Sequence, residues 1–287
     1  MSRTVLVLIS ALALTACGGS GSAGGDKTKV DAAFYPLAWA AERVGGKDVE
    51  VRNLTQPGVE PHDVELSPRD VEDIRSADIV LYLGSGFQPA MEEAVDGAEG
   101  ETIDLLQGLQ LRRPEEAEGK LTADPHVWLD PLRYAEIVQT IADELGHSGH
   151  TPPLVEDLKD LDTEFREGLA TCERREIVTT HASFGYLAQR YGLEQIPLTG
   201  LSPEAEPTPR DLERTVDQVR ESGATTIFFE TLISPRIAEA VAREMGAKTD
   251  VLNPLEGLSD EELRRGETYL SVMRENLASL RRALSCR

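Results

Sequence analysis

The chain has 287 residues, of which 40% are hydrophobic, so it is long enough to form one large domain or two smaller ones with buried cores. Its 51 acidic and 29 basic residues give a formal net charge of −22. This excludes nucleic acid as a reasonable partner, because phosphate binding requires clustered Lys and Arg.

The first residues are predicted to form a secretory signal peptide over residues 1–16. Arg3 supplies a positive start and residues 4–16 are almost entirely apolar. The sequence LTAC then resembles a bacterial lipobox, which implies lipid attachment at Cys17; a plain signal peptide with an incidental cysteine is the alternative. Residues 17–29 are rich in Gly and Ser and are predicted to form a lipidated, flexible tether.

Strands and helices are predicted to alternate in the next part of the chain. Residues 49–53 are typical of a short strand, residues 68–75 of a helix, and residues 77–83 of a buried strand that ends at a Gly-Ser-Gly turn. The first lobe is therefore predicted over residues 30–150, with a mainly parallel sheet flanked by helices.

A long amphipathic helix is predicted between the two halves, over residues 151–172. Its apolar residues recur at three- and four-residue spacing with charged residues between them: Leu154, Leu158, Leu161, Phe165 and Leu169. A single helix joining two lobes would hold them at a nearly fixed angle, with a cleft between them.

The alternation returns in residues 173–287, which are predicted to form the second lobe. The predicted elements are a strand over residues 175–180, helices over 182–191 and 208–222, a strand over 225–229 and a helix over 235–245. The predicted fold class is therefore α/β, with two lobes joined by one long, rigid helix.

Two cysteines remain after Cys17 is assigned to lipid. Export would place Cys172 and Cys286 in an oxidising compartment, where a disulfide between them is the economical interpretation. Two unpaired buried thiols are the alternative, and a zinc site with cysteine ligands is disfavoured because neither cysteine lies near another ligand in the sequence.

Three histidines occupy similar places in the predicted elements. His62 follows the strand at 49–53, His126 precedes a helix that begins near Pro131, and His181 stands where the strand at 175–180 ends. Ligand sites in open α/β sheets gather beyond the carboxyl ends of the strands, so this shared placement favours one site in the cleft. Three neutral imidazoles suit Zn²⁺, whereas oxygen-rich sites suit manganese.

Four motifs together resemble one protein family. The segments GVEPHDVELSPRDV, DPHVWLDP, THASFGYLAQRYGL and GLSPEAEPTP occur in the order found in zinc-binding, ZnuA/TroA-like (cluster A-I) lipoproteins of metal ABC importers. The similarity extends from about Val30 to the C-terminus. It implies two α/β lobes bridged by one helix, with the metal held between them. It also implies an extracytoplasmic, lipid-anchored monomer that binds Zn²⁺ with high affinity, delivers it to a membrane permease and is not an enzyme.

The resemblance also assigns candidate ligands. His62 and His126 match the ligands of the first lobe, and His181 matches the first ligand of the second lobe, where histidine favours zinc over manganese. The last ligand position, usually Asp, matches Asn253, whose amide cannot neutralise the charge of a cation. Glu230 is therefore predicted to support the site from the end of the strand at 225–229.

Two alternatives remain open at this stage. One is a manganese-binding importer component. The other is a zinc-dependent hydrolase, because three histidines with an open fourth position also describe catalytic zinc. The sequence contains no HExxH motif and no signature of a Ser or Cys nucleophile, which disfavours the hydrolase. The stretch 115–124 is acidic and lacks the His-rich loop of many zinc-binding relatives, so any metal-gathering role there would depend on carboxylates.

Overall fold

The computed structural model of the chain describes residues 27–113, 120–147, 149–203 and 208–287. The predicted signal peptide, Cys17, most of the predicted tether and the first half of the acidic stretch 115–124 lie outside the described residues. Of the helices in the described part of the chain, none combines the length and the apolar character needed to cross a bilayer.

The first lobe is built on a parallel sheet of four strands in the order β2-β1-β3-β4. The strands are β1 (Thr28–Ala32), β2 (Val49–Asn53), β3 (Ile79–Tyr82) and β4 (Glu101–Asp104). The predicted tether, 17–29, overlaps β1, because Thr28 and Lys29 already pair with Val49 and Glu50 of β2. The first strand therefore begins two residues before the start predicted for the lobe.

In the described part of the first lobe four helices flank this sheet, and each has proline in its first turn, where the missing N–H costs no hydrogen bond. They are α1 (Tyr35–Gly45), α2 (Pro68–Ser76), α3 (Pro89–Val95) and α4 (Pro131–Ala142). Ser67 and Asp70 form a reciprocal capping box at the start of α2. The side chain of Asp130 accepts a hydrogen bond from the Leu132 N–H at the start of α4. Local sequence thus defines where these helices begin.

The helix between the lobes is α5 (Pro153–Leu169), slightly shorter than the predicted 151–172. Pro152 is extended and precedes the first turn, while Cys172 already pairs with a distant residue as an isolated β-bridge. The apolar stripe of α5 is buried as the periodicity predicts, with Leu158, Leu161 and Phe165 fully enclosed.

The second lobe repeats the topology of the first, with a parallel sheet in the order β6-β5-β7-β8. Its strands are β5 (Glu176–Thr179), β6 (Glu194–Pro197), β7 (Thr226–Phe229) and β8 (Lys248–Val251). Its helices are α6 (Gly185–Tyr191), α7 (Pro209–Ser222), α8 (Arg236–Met245), α9 (Asp260–Arg264) and α10 (Tyr269–Ala283). The structure confirms the predicted α/β class with two mainly parallel sheets.

The largest hydrophobic core is shared by both halves of the chain. It contains Val30 and Trp128 from the first lobe, Phe165 from α5, and Phe184 and Tyr269 from the second lobe. A smaller core lies within the second lobe alone. Because close-packed side chains from both lobes interdigitate in one core, the lobes are held against each other and not merely connected.

The predicted disulfide between Cys172 and Cys286 is present. It joins Cys172, three residues after the end of α5, to Cys286 near the C-terminus, across a sequence separation of 114 residues. Hydrogen bonds from Thr171 to the Arg287 carbonyl (2.9 Å) and from Arg174 to Ser285 (2.7 Å) flank it. The C-terminus is therefore attached to the segment after α5 both covalently and by side-chain hydrogen bonds.

We expect the double variant Cys172→Ser, Cys286→Ser to fold but to lose stability, because the unfolded chain regains the freedom of a long closed loop. The entropic model gives a loss of about 4 to 5 kcal/mol as an upper value. Urea unfolding of the metal-free proteins measures it, and reduced wild type should match the variant. An unchanged unfolding midpoint in both would show that the hydrogen bonds alone hold the C-terminus.

Candidate metal centre

The three candidate histidines all lie in loops at the carboxyl ends of the parallel strands. His62 is part of a short 3-10 turn, Pro61–Asp63, in the connection after β2. His126 immediately precedes another such turn, Val127–Leu129, ahead of α4. His181 lies two residues after the end of β5. All three side chains are buried, and the latter two are fully enclosed.

The Nε2 atoms of these histidines face one another across the two lobes. Nε2 of His126 lies 3.4 Å from Nε2 of His62 and 3.4 Å from Nε2 of His181. The structure therefore brings together, within one small volume, the three residues that the sequence identified separately.

Glu256 completes this cluster, and the sequence reasoning missed it. Its Oε1 lies 3.1 Å from Nε2 of His126, 3.2 Å from that of His181 and 3.4 Å from that of His62. One ligand atom from each of the four residues falls within 4.8 Å of the others. This His₃Glu cluster, defined by these four side chains, is buried throughout.

Asn253 lies in the same loop, but its amide is engaged elsewhere. Its Oδ1 accepts a hydrogen bond from the Leu255 N–H at 2.7 Å. Its Nδ2 donates to Glu262 at 2.9 Å and to Thr231 at 3.1 Å. Both ends of the amide thus shape the loop, and its contacts are with these residues and not with the histidines.

The backbone conformation of Leu255 distinguishes Asn253 from Glu256 as the fourth member of the cluster. Leu255 adopts φ = +57°, in the left-handed region that non-glycine residues rarely occupy. The chain therefore turns sharply between Asn253 and Glu256, and it is Glu256 that reaches the histidines. The motif NPLE contained a carboxylate three residues beyond Asn253, but no local pattern indicated which of the two side chains would face the cleft.

Two carboxylates contact the outer nitrogens of the histidine rings. Oδ1 of Asp124 lies 2.9 Å from Nδ1 of His126, and Oε1 of Glu230 lies 2.7 Å from Nδ1 of His181. A carboxylate at Nδ1 holds the proton on that nitrogen, so that Nε2 presents its lone pair toward the cluster. Glu230 reaches His181 because β5 and β7, which precede them, are neighbours in the sheet.

These contacts decide the pKa values of two of the histidines. Burial by itself would lower the pKa of His126, but hydrogen bonds to Asp124 and Glu256 outweigh it and raise that pKa. Burial likewise opposes protonation of His181, yet the negative charges of Glu230 and Glu256 raise its pKa well above the usual value. Without a metal, these two rings therefore attract protons.

The pKa values of His62 and Glu256 are lowered, in contrast to those of His126 and His181. Burial lowers the pKa of His62, and its interaction with Glu256 does not compensate. Burial alone would raise the pKa of Glu256, but the charge of His181 and the bonds to the histidines hold it well below its usual range. Burial, together with repulsion from Glu256, raises the pKa of Glu60 to about 10. The cluster thus contains one carboxylate that stays ionised.

A cation in the cluster would satisfy an atom that protein contacts leave unpaired. Among the described residues, Oε2 of Glu256 is buried without a hydrogen-bond partner. Buried acceptors of this kind are rare and call for an explanation such as an ion. Three imidazole nitrogens and one carboxylate oxygen form a donor set suited to tetrahedral Zn²⁺, so the residues present fit this metal.

Comparison with known proteins is consistent with this geometry. The family model described as "ZnuA: Zinc-uptake complex component A periplasmic" matches residues 30–283. The chain is 34% identical over 300 residues to the "High-affinity zinc uptake system protein ZnuA" of Bacillus subtilis, which covers 95% of this chain and 94% of that protein.

A second relative is known in atomic detail. The chain is 34% identical to the "Zinc-binding lipoprotein AdcA" of Streptococcus pneumoniae, over 98% of this chain but only 61% of AdcA. The crystal structure of Zn(II)-bound AdcA from that organism aligns with a TM-score of 0.76 and 34% identity, covering 90% of this chain and 58% of AdcA. With a family match over nearly the whole folded chain, this protein belongs to the ZnuA family of periplasmic zinc-uptake components.

Proposed function

We propose that this protein captures Zn²⁺ outside the cytoplasm in the His₃Glu cluster and delivers it to the permease of an ABC importer. The observation that carries the proposal is the convergence of three imidazole Nε2 atoms and one carboxylate oxygen in a buried site between two lobes. The names of the relatives, a zinc uptake protein and a zinc-binding lipoprotein, support the same function. The family is one of uptake components and not of enzymes.

The chemistry of the donors favours zinc over manganese. Manganese sites are typically rich in carboxylate, carbonyl and water oxygens, whereas imidazole suits zinc. Here three of the four donors are nitrogen. A manganese-binding function is therefore the weaker alternative for the transported ion.

The fourth donor also argues against a zinc-dependent hydrolase. Catalytic zinc keeps one coordination position open for water or substrate. In the His₃Glu cluster that position would be taken by Glu256, whose Oε1 already lies within 3.4 Å of all three Nε2 atoms. A closed set of four protein ligands suits binding and transport.

Glu256, and not Asn253, is our candidate for the fourth ligand. Its carboxylate is ionised and would offset part of the charge of the cation, which an amide cannot do. Asn253 would have been a neutral fourth ligand. With Glu256 in that position, one negatively charged ligand faces the metal. His62, His126 and His181 supply the other three ligands in this proposal.

The cellular setting is proposed from the N-terminal sequence. Residues 1–16 would be removed as a signal peptide, Cys17 would carry lipid, and the tether up to β1 would join a membrane-anchored end to the folded lobes. The description of AdcA as a lipoprotein supports an anchor of this kind. We further propose a monomer that presents its metal site to the permease, with a first lobe from β1 to residue 150 and a second lobe over residues 173–287.

Replacing any one of the three histidines by Ala should weaken zinc binding severely. The loss should exceed the roughly 10- to 100-fold that removal of an outer-shell partner costs. His147→Ala is the control, because this histidine is exposed. Chelator competition measures the affinities; equal effects at all four positions would contradict the assignment.

The identity of the fourth ligand can be tested with two further variants. Glu256→Gln keeps the shape of the side chain and removes its charge, so zinc affinity should fall. Asn253→Asp should not tighten zinc binding. In the wild type Nδ2 of Asn253 lies 2.9 Å from Oε1 of Glu262, so the new carboxylate would face Glu262 and not the metal. Isothermal titration with competing chelator distinguishes the two. Tighter binding by Asn253→Asp with no effect of Glu256→Gln would reverse our assignment.

Zinc should stabilise the protein more at about pH 8 than at about pH 6, because protons and zinc compete for the same Nε2 atoms. The raised pKa values of His126 and His181 mean that the metal-free protein is stabilised by their protonation at low pH. That stabilisation is lost as pH rises through the folded-state pKa values. Calorimetry with and without zinc measures the difference. A zinc-induced rise in Tm that is the same at both pH values would contradict this competition.

A further inference from the structure

Trp128 makes a direct hydrogen bond between the two lobes, next to the His₃Glu cluster. Its indole Nε1–H donates to the carbonyl oxygen of Pro254 at 2.8 Å, across 126 residues of sequence. Both groups are buried. The donor lies two residues after His126 and the acceptor lies two residues before Glu256. The bond therefore connects the segments that carry a candidate ligand from each lobe.

The indole itself is fixed by the first lobe. Trp128 is fully buried, and its ring packs edge-on against Phe34 with centroids 4.8 Å apart. The same ring lies 5.2 Å from the His126 ring and 5.8 Å from the Phe87 ring. A side chain held on several sides in this way offers its N–H in one direction only.

The acceptor belongs to a loop that is hydrogen-bonded to both lobes, through Asn276 in the second lobe and through Trp128 in the first. Pro254 is followed by Leu255 in its left-handed conformation and then by Glu256. Within the loop, the Asn253 side chain accepts from the Leu255 N–H. From the other lobe, the Trp128 indole anchors the intervening carbonyl. A strained turn persists only when its surroundings hold it, so loss of an anchor should let the turn relax.

A second bond ties the backbone of Trp128 to the second lobe. The Tyr269 hydroxyl, at the start of α10, donates to the Trp128 carbonyl at 2.6 Å. The main chain and the side chain of this one residue thus both contact the second lobe. The position of the Pro254 carbonyl relative to the His126 segment is defined by this double attachment.

We propose that Trp128 is a positioning residue that sets the separation of His126 and Glu256 through the Pro254 carbonyl, and thereby sets how slowly the site releases zinc. The inference rests on the proposed function. Without the indole N–H, the buried Pro254 carbonyl would lack its donor, and the loop would move to find another. Glu256 would move with the loop, away from the three nitrogens.

Trp128→Phe tests this, because it removes the N–H and keeps an aromatic ring in the core. Tyr134→Phe is the matched control: its hydroxyl donates to another buried proline carbonyl, that of Pro36, at 2.6 Å, but within the first lobe. Both variants therefore lose one buried donor to a proline carbonyl. We expect zinc release to excess chelator to be about 10-fold faster in Trp128→Phe and unchanged in Tyr134→Phe.

Two further readouts separate positioning from general destabilisation. The visible absorption of bound Co²⁺ reports ligand geometry, and it should change in Trp128→Phe but not in Tyr134→Phe. In a Glu256→Gln background the additional effect of Trp128→Phe on release should largely vanish, because the tryptophan acts through that carboxylate. An equal effect of Trp128→Phe in both backgrounds would overturn the inference.

Replacement of Trp128 by 3-benzothienylalanine provides a second variant if Trp128→Phe does not fold, since it exchanges only the N–H for sulfur in the same bicyclic ring. Faster zinc release is again expected. A release rate equal to that of the wild type would overturn this inference and leave the proposed function intact. Failure of the wild type and of Tyr134→Phe to bind zinc would instead overturn the proposed function, and this inference with it.

Discussion

The structure depends on one buried carboxylate oxygen, Oε1 of Glu256, which lies within 3.4 Å of an imidazole nitrogen from each of three histidines. Burying an ionised carboxylate is costly unless positive charge and hydrogen bonds surround it. Protonated histidines can supply that charge in the metal-free protein, and a divalent cation would supply it more fully. Because the four side chains come from loops on two different sheets, this arrangement requires the two lobes to keep a fixed relation.

Several features of the fold provide that fixed relation. The apolar stripe of α5 is buried in a core that contains side chains from both lobes, and the disulfide attaches the C-terminus to the end of the same helix. Such packing opposes a wide hinge motion between the lobes. Capture and release of an ion would then depend on local movement of the loops at the carboxyl ends of the strands, and the strained turn at Leu255 is one such place.

The same topology explains how the outer carboxylates reach the histidines. In the second lobe, His181 and Glu230 follow β5 and β7, which are adjacent strands, so their side chains meet at one edge of the sheet. In the first lobe the contact between Asp124 and His126 is local, between residues two apart. Either way, a carboxylate orients the ring so that Nε2 points into the cluster. Asp124 and Glu230 thus orient two of the histidine ligands, although they would not themselves touch the metal.

The sequence by itself determined much of this protein. The alternation of strands and helices, the 3- and 4-residue apolar spacing of α5 and the two remaining cysteines predicted the α/β class, the joining helix and the disulfide. His62, His126 and His181 were identifiable because each lies next to a locally recognisable end of a strand or start of a helix. Tertiary structure decided that Glu256 meets these histidines while Asn253 bonds within its own loop. That choice depends on one left-handed backbone dihedral at Leu255 and on the bond from Trp128 to Pro254, across 126 residues of sequence, which no local pattern can encode.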